Sequence, residues 1–180
     1  TTLPTIPVYS SASYIVTNGT GTLQQNIQDA GTYVFPVGTA TALEEASISF
    51  AAPLSSLNRL AARFISGFGG DNGLPLAETG DNLTHTSVGG YWNISSSTPV
   101  ADLYTATFRA KAFSDIIDYT KLHLLKRTNV ASPWTLNGTH VTTTGSNALA
   151  ILQRTGMSGF SDFAVSGQPA VSLPVTITSF

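Results

Sequence analysis

The sequence predicts an all-β fold, an antiparallel two-sheet β-sandwich of immunoglobulin-like or jelly-roll character. Three observations predict it. Turn signals recur at short intervals, among them "TNGTG", "QDAG", "GFGGDNG", "ETGDN", "VGGY", "LNGT" and "TGSN". Between them lie short runs rich in Val, Ile, Phe, Tyr and Thr, the residues that fit a pleated, half-buried surface. Several of those runs alternate apolar and polar residues with a period of two, as a strand does when one face meets a core and the other meets water.

The alternation places the elements in order. "SYIVTNGTGTLQQ" and "WTLNGTHVTT" each centre on an Asn-Gly pair, Asn18-Gly19 and Asn137-Gly138, and each reads as a two-residue hairpin. In "LNRLAARFISGF", Leu60, Ala62, Phe64 and Phe68 share one face, with Arg59 and Arg63 opposite. In "GYWNI", parity sends Trp92 and Ile94 to the core together. In "DLYTATFRAKAF", Tyr104, Ala106, Phe108, Ala110 and Ala112 oppose Thr105, Thr107, Arg109 and Lys111. "FSDIIDYTKLHLLKRT" fits neither period well. The strand reading is taken for Tyr119 to Thr128, with Leu122 and Leu124 inward and Lys121 and His123 outward, after a short helical turn at Ser114 to Ile117. Trp134 pairs by parity with Leu136. The expected core is Phe35, Phe64, Trp92, Phe108, Leu122, Trp134, Ile151 and Phe163. Residues 13–168 form the sandwich, 1–12 an N-terminal linker or extended strand, and 169–180 a C-terminal strand or linker. In the last, Val171, Leu173, Val175 and Ile177 alternate, with Pro174 on the other side. Both ends have the pattern of strands that add to an exposed edge.

Composition narrows the function. The 180 residues suit one domain. There is no cysteine, so neither a disulfide nor a thiolate metal site is expected. Net charge is −2, and the eight Lys and Arg are scattered, which argues against a nucleic-acid partner. No apolar run is long enough to insert in a membrane, and "TTLPTIPVYSS" does not have the pattern of an export signal. Solubility rests on Ser, Thr and Asn, as in many extracellular β-rich modules. N-x-[ST] matches at Asn18, Asn82, Asn93 and Asn137 are of the kind chance supplies in such a composition.

Candidate chemistry is sparse. Glu44 and Glu45 are neighbours on a strand and point to opposite faces, so they do not form an acid and base pair across one bond. They read as one solvated charge and one at a strand end or edge. Asp71, Asn72, Asp81 and Asn82 sit in Gly-rich turns, where such residues bond their own backbone, and no D-x-D-x-D spacing supports calcium. His85, His123 and His140 lie on separate elements with no local pair, so no metal site is expected. No G-x-S-x-G elbow or phosphate loop is present, and no cofactor is expected. The long irregular stretch Ser66 to Gly90 is where binding would reside. Tyr91, at its end, with Asp71 and Asn72, makes the candidate glycan-binding set.

Four stretches, "SYIVTNGTGTLQQNI", "GTYVFPVGTA", "SPWTLNGTHVTTTG" and "TGMSGFSDFAVSG", followed by "SLPVTITSF", resemble the β-sandwich modules of very large secreted proteins of Bacteroidetes. Such modules often lie just ahead of the C-terminal sorting domain read by the type IX secretion system. "YVFPVGT" resembles the family's Y-x-F-P-V-G motif, and "GFSDFAVSG" its closing strand. The resemblance runs from Tyr14 to Phe180. It departs at "TATALEEASISF", which replaces a Y-x-P segment, and at Ser66 to Gly90, which matches nothing in it. The resemblance implies a non-catalytic structural or adhesive module, extracellular and cell-surface associated, whose partners are neighbouring domains or subunits of a surface assembly. The alternative is a glycan-binding module of a secreted polysaccharide-degrading enzyme.

Overall fold

The computed structural model describes residues 8–17, 19–111 and 113–167. It is a β-sandwich of two five-stranded antiparallel sheets. The strands are β1 (Ile15–Val16), β2 (Leu23–Ile27), β3 (Gly31–Phe35), β4 (Val37–Gly38), β5 (Ala46–Phe50), β6 (Asn58–Ser66), β7 (Leu76–Glu78), β8 (Asp81–Leu83), β9 (His85–Ser96), β10 (Tyr104–Ala110), β11 (His123–Arg127), β12 (Thr139–Ser146), β13 (Leu149–Met157) and β14 (Asp162–Gly167). The front sheet runs β12-β13-β10-β5-β3 and the back sheet β11-β14-β9-β6-β2. Two small pieces complete it, a parallel β1–β4 pair and a β7–β8 hairpin.

The alternation of β5, β6 and β10 is what builds the core. Tyr104, Ala106, Phe108 and Ala110 from the front sheet meet Leu60, Ala62, Phe64, Trp92 and Ile94 from the back sheet. Trp92 is fully buried at the centre, with ring centroids 4.7 Å from Phe108 and 5.2 Å from Phe64. Of the expected core, Phe35, Phe64, Trp92, Phe108, Leu122, Trp134 and Phe163 are buried. Ile151 is not: on β13 the inward residues are Ala150 and Leu152, so parity turns Ile151 to the outer face, half-buried. Phe68 also departs from expectation. Strand β6 ends at Ser66, and Phe68 lies beyond it, 51% exposed.

The strands that flank the two Asn-Gly pairs do not pair with each other as hairpins would require. β2 pairs with β6 rather than β1, and β1 runs parallel to β4. Asn18 lies outside the described residues, as do Ala112, residues 1–7 of the N-terminal extension and the whole C-terminal extension; residues 8–12 are described and lead into a turn closed by Ser10 and Ser13 rather than a strand. The second pair precedes β12, whose hairpin partner is β13 across Asn147 and Ala148. Gly138 has φ +76°, and a Cβ there would sit 2.4 Å from the Thr155 carbonyl, so its backbone is pressed against β13. In the ambiguous segment the strand is His123–Arg127. It follows a single 3₁₀ turn at Tyr119–Lys121, capped by the Asp118 side chain. Ser114 to Ile117 forms a turn and not a helix.

Glu44 and Glu45 do point apart, and Glu45, half-buried, lies at the strand end just ahead of β5, but Glu44 is neither a solvated nor an edge charge. Glu44 is wholly buried. Its carbonyl accepts the Trp92 indole N–H (2.7 Å), and its Oε2 accepts the Lys111 backbone N–H (2.8 Å). A buried carboxylate is tolerated where backbone N–H groups meet it.

Candidate functional site

A second layer covers the outer face of the back sheet and gathers the described charged side chains of most interest. Residues 67–84 and 129–136 fold over β9, β14 and β11. Leu83, Leu125, Trp134 and Ala164 form a small apolar cluster there, with Tyr91 and Leu136 packed against it. The layer begins with the β7–β8 hairpin. Thr79 (φ +52°) and Gly80 (φ +88°) turn it, both in the left-handed region that a two-residue hairpin of this hand requires. Glu78 and Asp81 flank the turn and pair directly across the ladder, so their side chains leave the same face.

Those two carboxylates receive His123 between them. Its Nδ1 lies 2.9 Å from Glu78 Oε2 and its Nε2 3.1 Å from Asp81 Oδ2. Lys121 Nζ donates to Asp81 Oδ1 (3.0 Å). Arg154, wholly buried on β13, donates to both Glu78 oxygens at 2.7 Å. Its remaining N–H groups reach the carbonyls of Asn137 (2.9 Å), Gly138 (2.8 Å) and Leu124 (3.2 Å). All five guanidinium N–H groups are therefore used. The His140 ring stacks on His123, centroids 3.9 Å apart and 23° between planes.

Electrostatics follows from these contacts. Burial alone would raise the Glu78 carboxyl, but hydrogen bonds from Arg154 and His123 outweigh it and hold it below the usual range. Hydrogen bonds from His123 and Lys121 lower Asp81. Burial, then the charge of His123, lowers His140 and favours its neutral form. Its Nδ1 is buried without a hydrogen-bond partner, one of two such side-chain atoms among the described residues.

The expected separation of the histidines holds only along the chain. His85 stays apart, but His123 and His140 stand face to face, because β11 and β12 are the edge strands at the side where the two sheets meet. The lack of a local pair hid this. No local spacing signals it: His140 lies opposite the buried Arg154 on β13, and Asp81 shares a face of β8 with the buried Leu83.

The candidate glycan residues come together elsewhere on the same layer. Asp71 Oδ1 accepts the Thr86 N–H (2.7 Å), and Oδ2 meets His85 Nδ1 (2.5 Å). Asn72 donates its amide to the Ala131 carbonyl (3.1 Å) and accepts the Trp134 N–H on its own carbonyl (2.7 Å). Tyr91 is half-buried, with the Arg127 guanidinium 5.2 Å from its ring centroid and 4.2 Å from that of Trp134. The exposed aromatic beside them is Phe68, which stacks on His85 at 5.2 Å. Alternation in the sequence puts it on one face with Leu60, Ala62 and Phe64, which hides it as a surface group.

Comparison with protein-family models, with curated proteins and with solved structures finds no match to this chain. Among the described residues no helix is long and apolar enough to cross a membrane.

Proposed function

We propose that this chain is a non-catalytic structural or adhesive module of a secreted, surface-displayed bacterial protein, acting as a spacer or assembly unit. The observation that supports it most is how the buried charges are used. Arg154 spends every donor on the chain's own carbonyls and on Glu78. Arg127 likewise ties Asp162 (2.9 Å) to the Gly69 carbonyl (2.7 Å). Both guanidinium groups pin loops onto the sandwich, which stiffens a brick whose purpose lies in what it joins. The test is a screen for turnover of ester, glycoside and peptide substrates. A blank screen is expected; turnover abolished by His123→Ala or Asp71→Asn would overturn the reading.

A second reading, a glycan-binding module of a secreted polysaccharide-degrading enzyme, draws on the open Phe68 ring beside Asp71, Asn72 and Tyr91. Aromatic faces next to polar loop groups are suited to stacking on sugar rings. Binding on a glycan array that is lost with Phe68→Ala and with Tyr91→Ala would support it, and a blank array would remove it.

A further inference from the structure

We propose that Glu78, His123 and His140 bind a divalent metal ion of the zinc class, which staples the two sheets together at their shared edge. One ligand atom from each of the three residues lies within 4.8 Å of the other two. The donors are an imidazole pair and a carboxylate, three of the four positions of a tetrahedral zinc, with the fourth left to a water.

The shell around these atoms has one feature of a metal site. Metal-bound histidine characteristically gives its other ring N–H to a carboxylate. Here His123 has Glu78 on Nδ1 and Asp81 on Nε2 (3.1 Å). An ion at Nδ1 takes the place of the proton that Nδ1 shares with Glu78 Oε2, and Asp81 remains as the orienting partner. The Nδ1 to Oε2 distance is 2.9 Å. Two ligands on a tetrahedral zinc stand roughly 3.3 Å apart, given bonds of about 2.0–2.1 Å. The opening required is thus only a few tenths of an ångström. Oε2 also accepts from Arg154 Nη1 (2.7 Å), so the ion shares that oxygen with the guanidinium, whose other donors stay on Oε1 and on three backbone carbonyls.

His140 supplies the independent observation. Its Nδ1 is buried and has no hydrogen-bond partner. A desolvated polar atom of this kind is costly to leave unmet. A rotation of the ring from its stack on His123 turns a nitrogen toward the same point. His123 belongs to the back sheet, His140 to the front sheet and Glu78 to the hairpin that covers them. An ion there joins three separate segments in a chain that has no cysteine to do so. Such a staple stabilises the folded state, because the unfolded chain does not hold the three ligands together.

The test uses the 180-residue chain stripped with EDTA. Zinc chloride is expected to raise its melting midpoint and to saturate at one ion per chain, and cobalt(II) to give the absorption bands of a four-coordinate site. His140→Ala should abolish both responses; His140→Gln, which keeps the volume, is read beside it. Asp81→Asn should weaken zinc binding roughly 10- to 100-fold, as loss of an orienting carboxylate does elsewhere. No midpoint shift and no cobalt bands in the unsubstituted chain overturn the proposal. So does binding that is unchanged in a folded His140 variant, which would place the ion elsewhere.

Discussion

The outer faces of the two sheets have the same strand count beneath them and opposite fates. The front sheet's outer face carries Thr32, Ser47, Ser49, Thr105, Thr107 and Gln153, none of them buried. Its polar contacts are short-range and lateral, such as Thr32 to Ser49 (2.7 Å) and Gln153 to Thr107 (2.9 Å). The back sheet's outer face is roofed over β11 and β14, although Gln24 on β2 and Arg59 on β6 stay exposed. There β14 is buried at every position, and β11 at all but Lys126. A strand covered on both faces loses the contrast between its alternate residues. The difference teaches that period-two alternation reports one layer boundary at a time. It is faithful where the second face meets water and silent where a second layer lies on it.

Breaking the roof should therefore cost far more than altering the open face. The largest effect is expected from Arg154→Ala. It removes both guanidinium hydrogen bonds to Glu78 and those to three carbonyls in a buried site, a loss of about 3–5 kcal/mol. Equilibrium denaturation in urea measures it, and a loss below about 1 kcal/mol would mean that the hairpin is held some other way.

Trp134→Ala comes next. It removes a buried indole, the Arg127 stack and the N–H bond to the Gly70 carbonyl (2.6 Å), at a cost of about 3 kcal/mol. Hydrogen exchange should sharpen the point: amides of 67–76 should lose protection while those of β10 keep it. Equal loss in both would show that roof and sandwich unfold as one unit.

A smaller effect tests the interior. Burial raises the Tyr104 phenol far above its ordinary value of 10.0, and its O–H donates to the Gly159 carbonyl (2.5 Å). The unfolded chain ionises this group near its ordinary value and the folded chain does not. Stability is therefore complete below about pH 10 and falls as pH rises beyond it. Tyr104→Phe should flatten that fall and cost about 1 kcal/mol at neutral pH. An unchanged alkaline slope would assign it to other groups.

The smallest effect is expected on the open face. Thr32→Ala should change stability by no more than about 0.5 kcal/mol by the same urea measurement. A loss comparable to that of Trp134→Ala would show that this face is covered in solution.

The all-β class and the sandwich architecture were legible before any coordinates, because they rest on local signals. Tyr104, Ala106, Phe108 and Ala110 had to share a face, as did Trp92 and Ile94, since neighbouring residues on a strand point to opposite sides whatever the strand pairs with. Ile151 was misplaced because its strand carries Ile151 and Leu152 side by side, and parity alone does not say which faces inward.

What tertiary structure decided was adjacency. Asn137-Gly138 has the chemistry of a hairpin turn, yet it delivers two carbonyls to Arg154. Glu44 is acidic, yet a backbone N–H that meets it lies 67 residues away. His123 and His140 are separated in sequence, yet they stack because the last strands of two different sheets end side by side. Alternation along a strand sets which side chains are buried together; the order of strands in a sheet, and the loops that roof it, set which polar groups meet. The first is a property of neighbours in the chain, and the second emerges only when distant segments compete for the same partners.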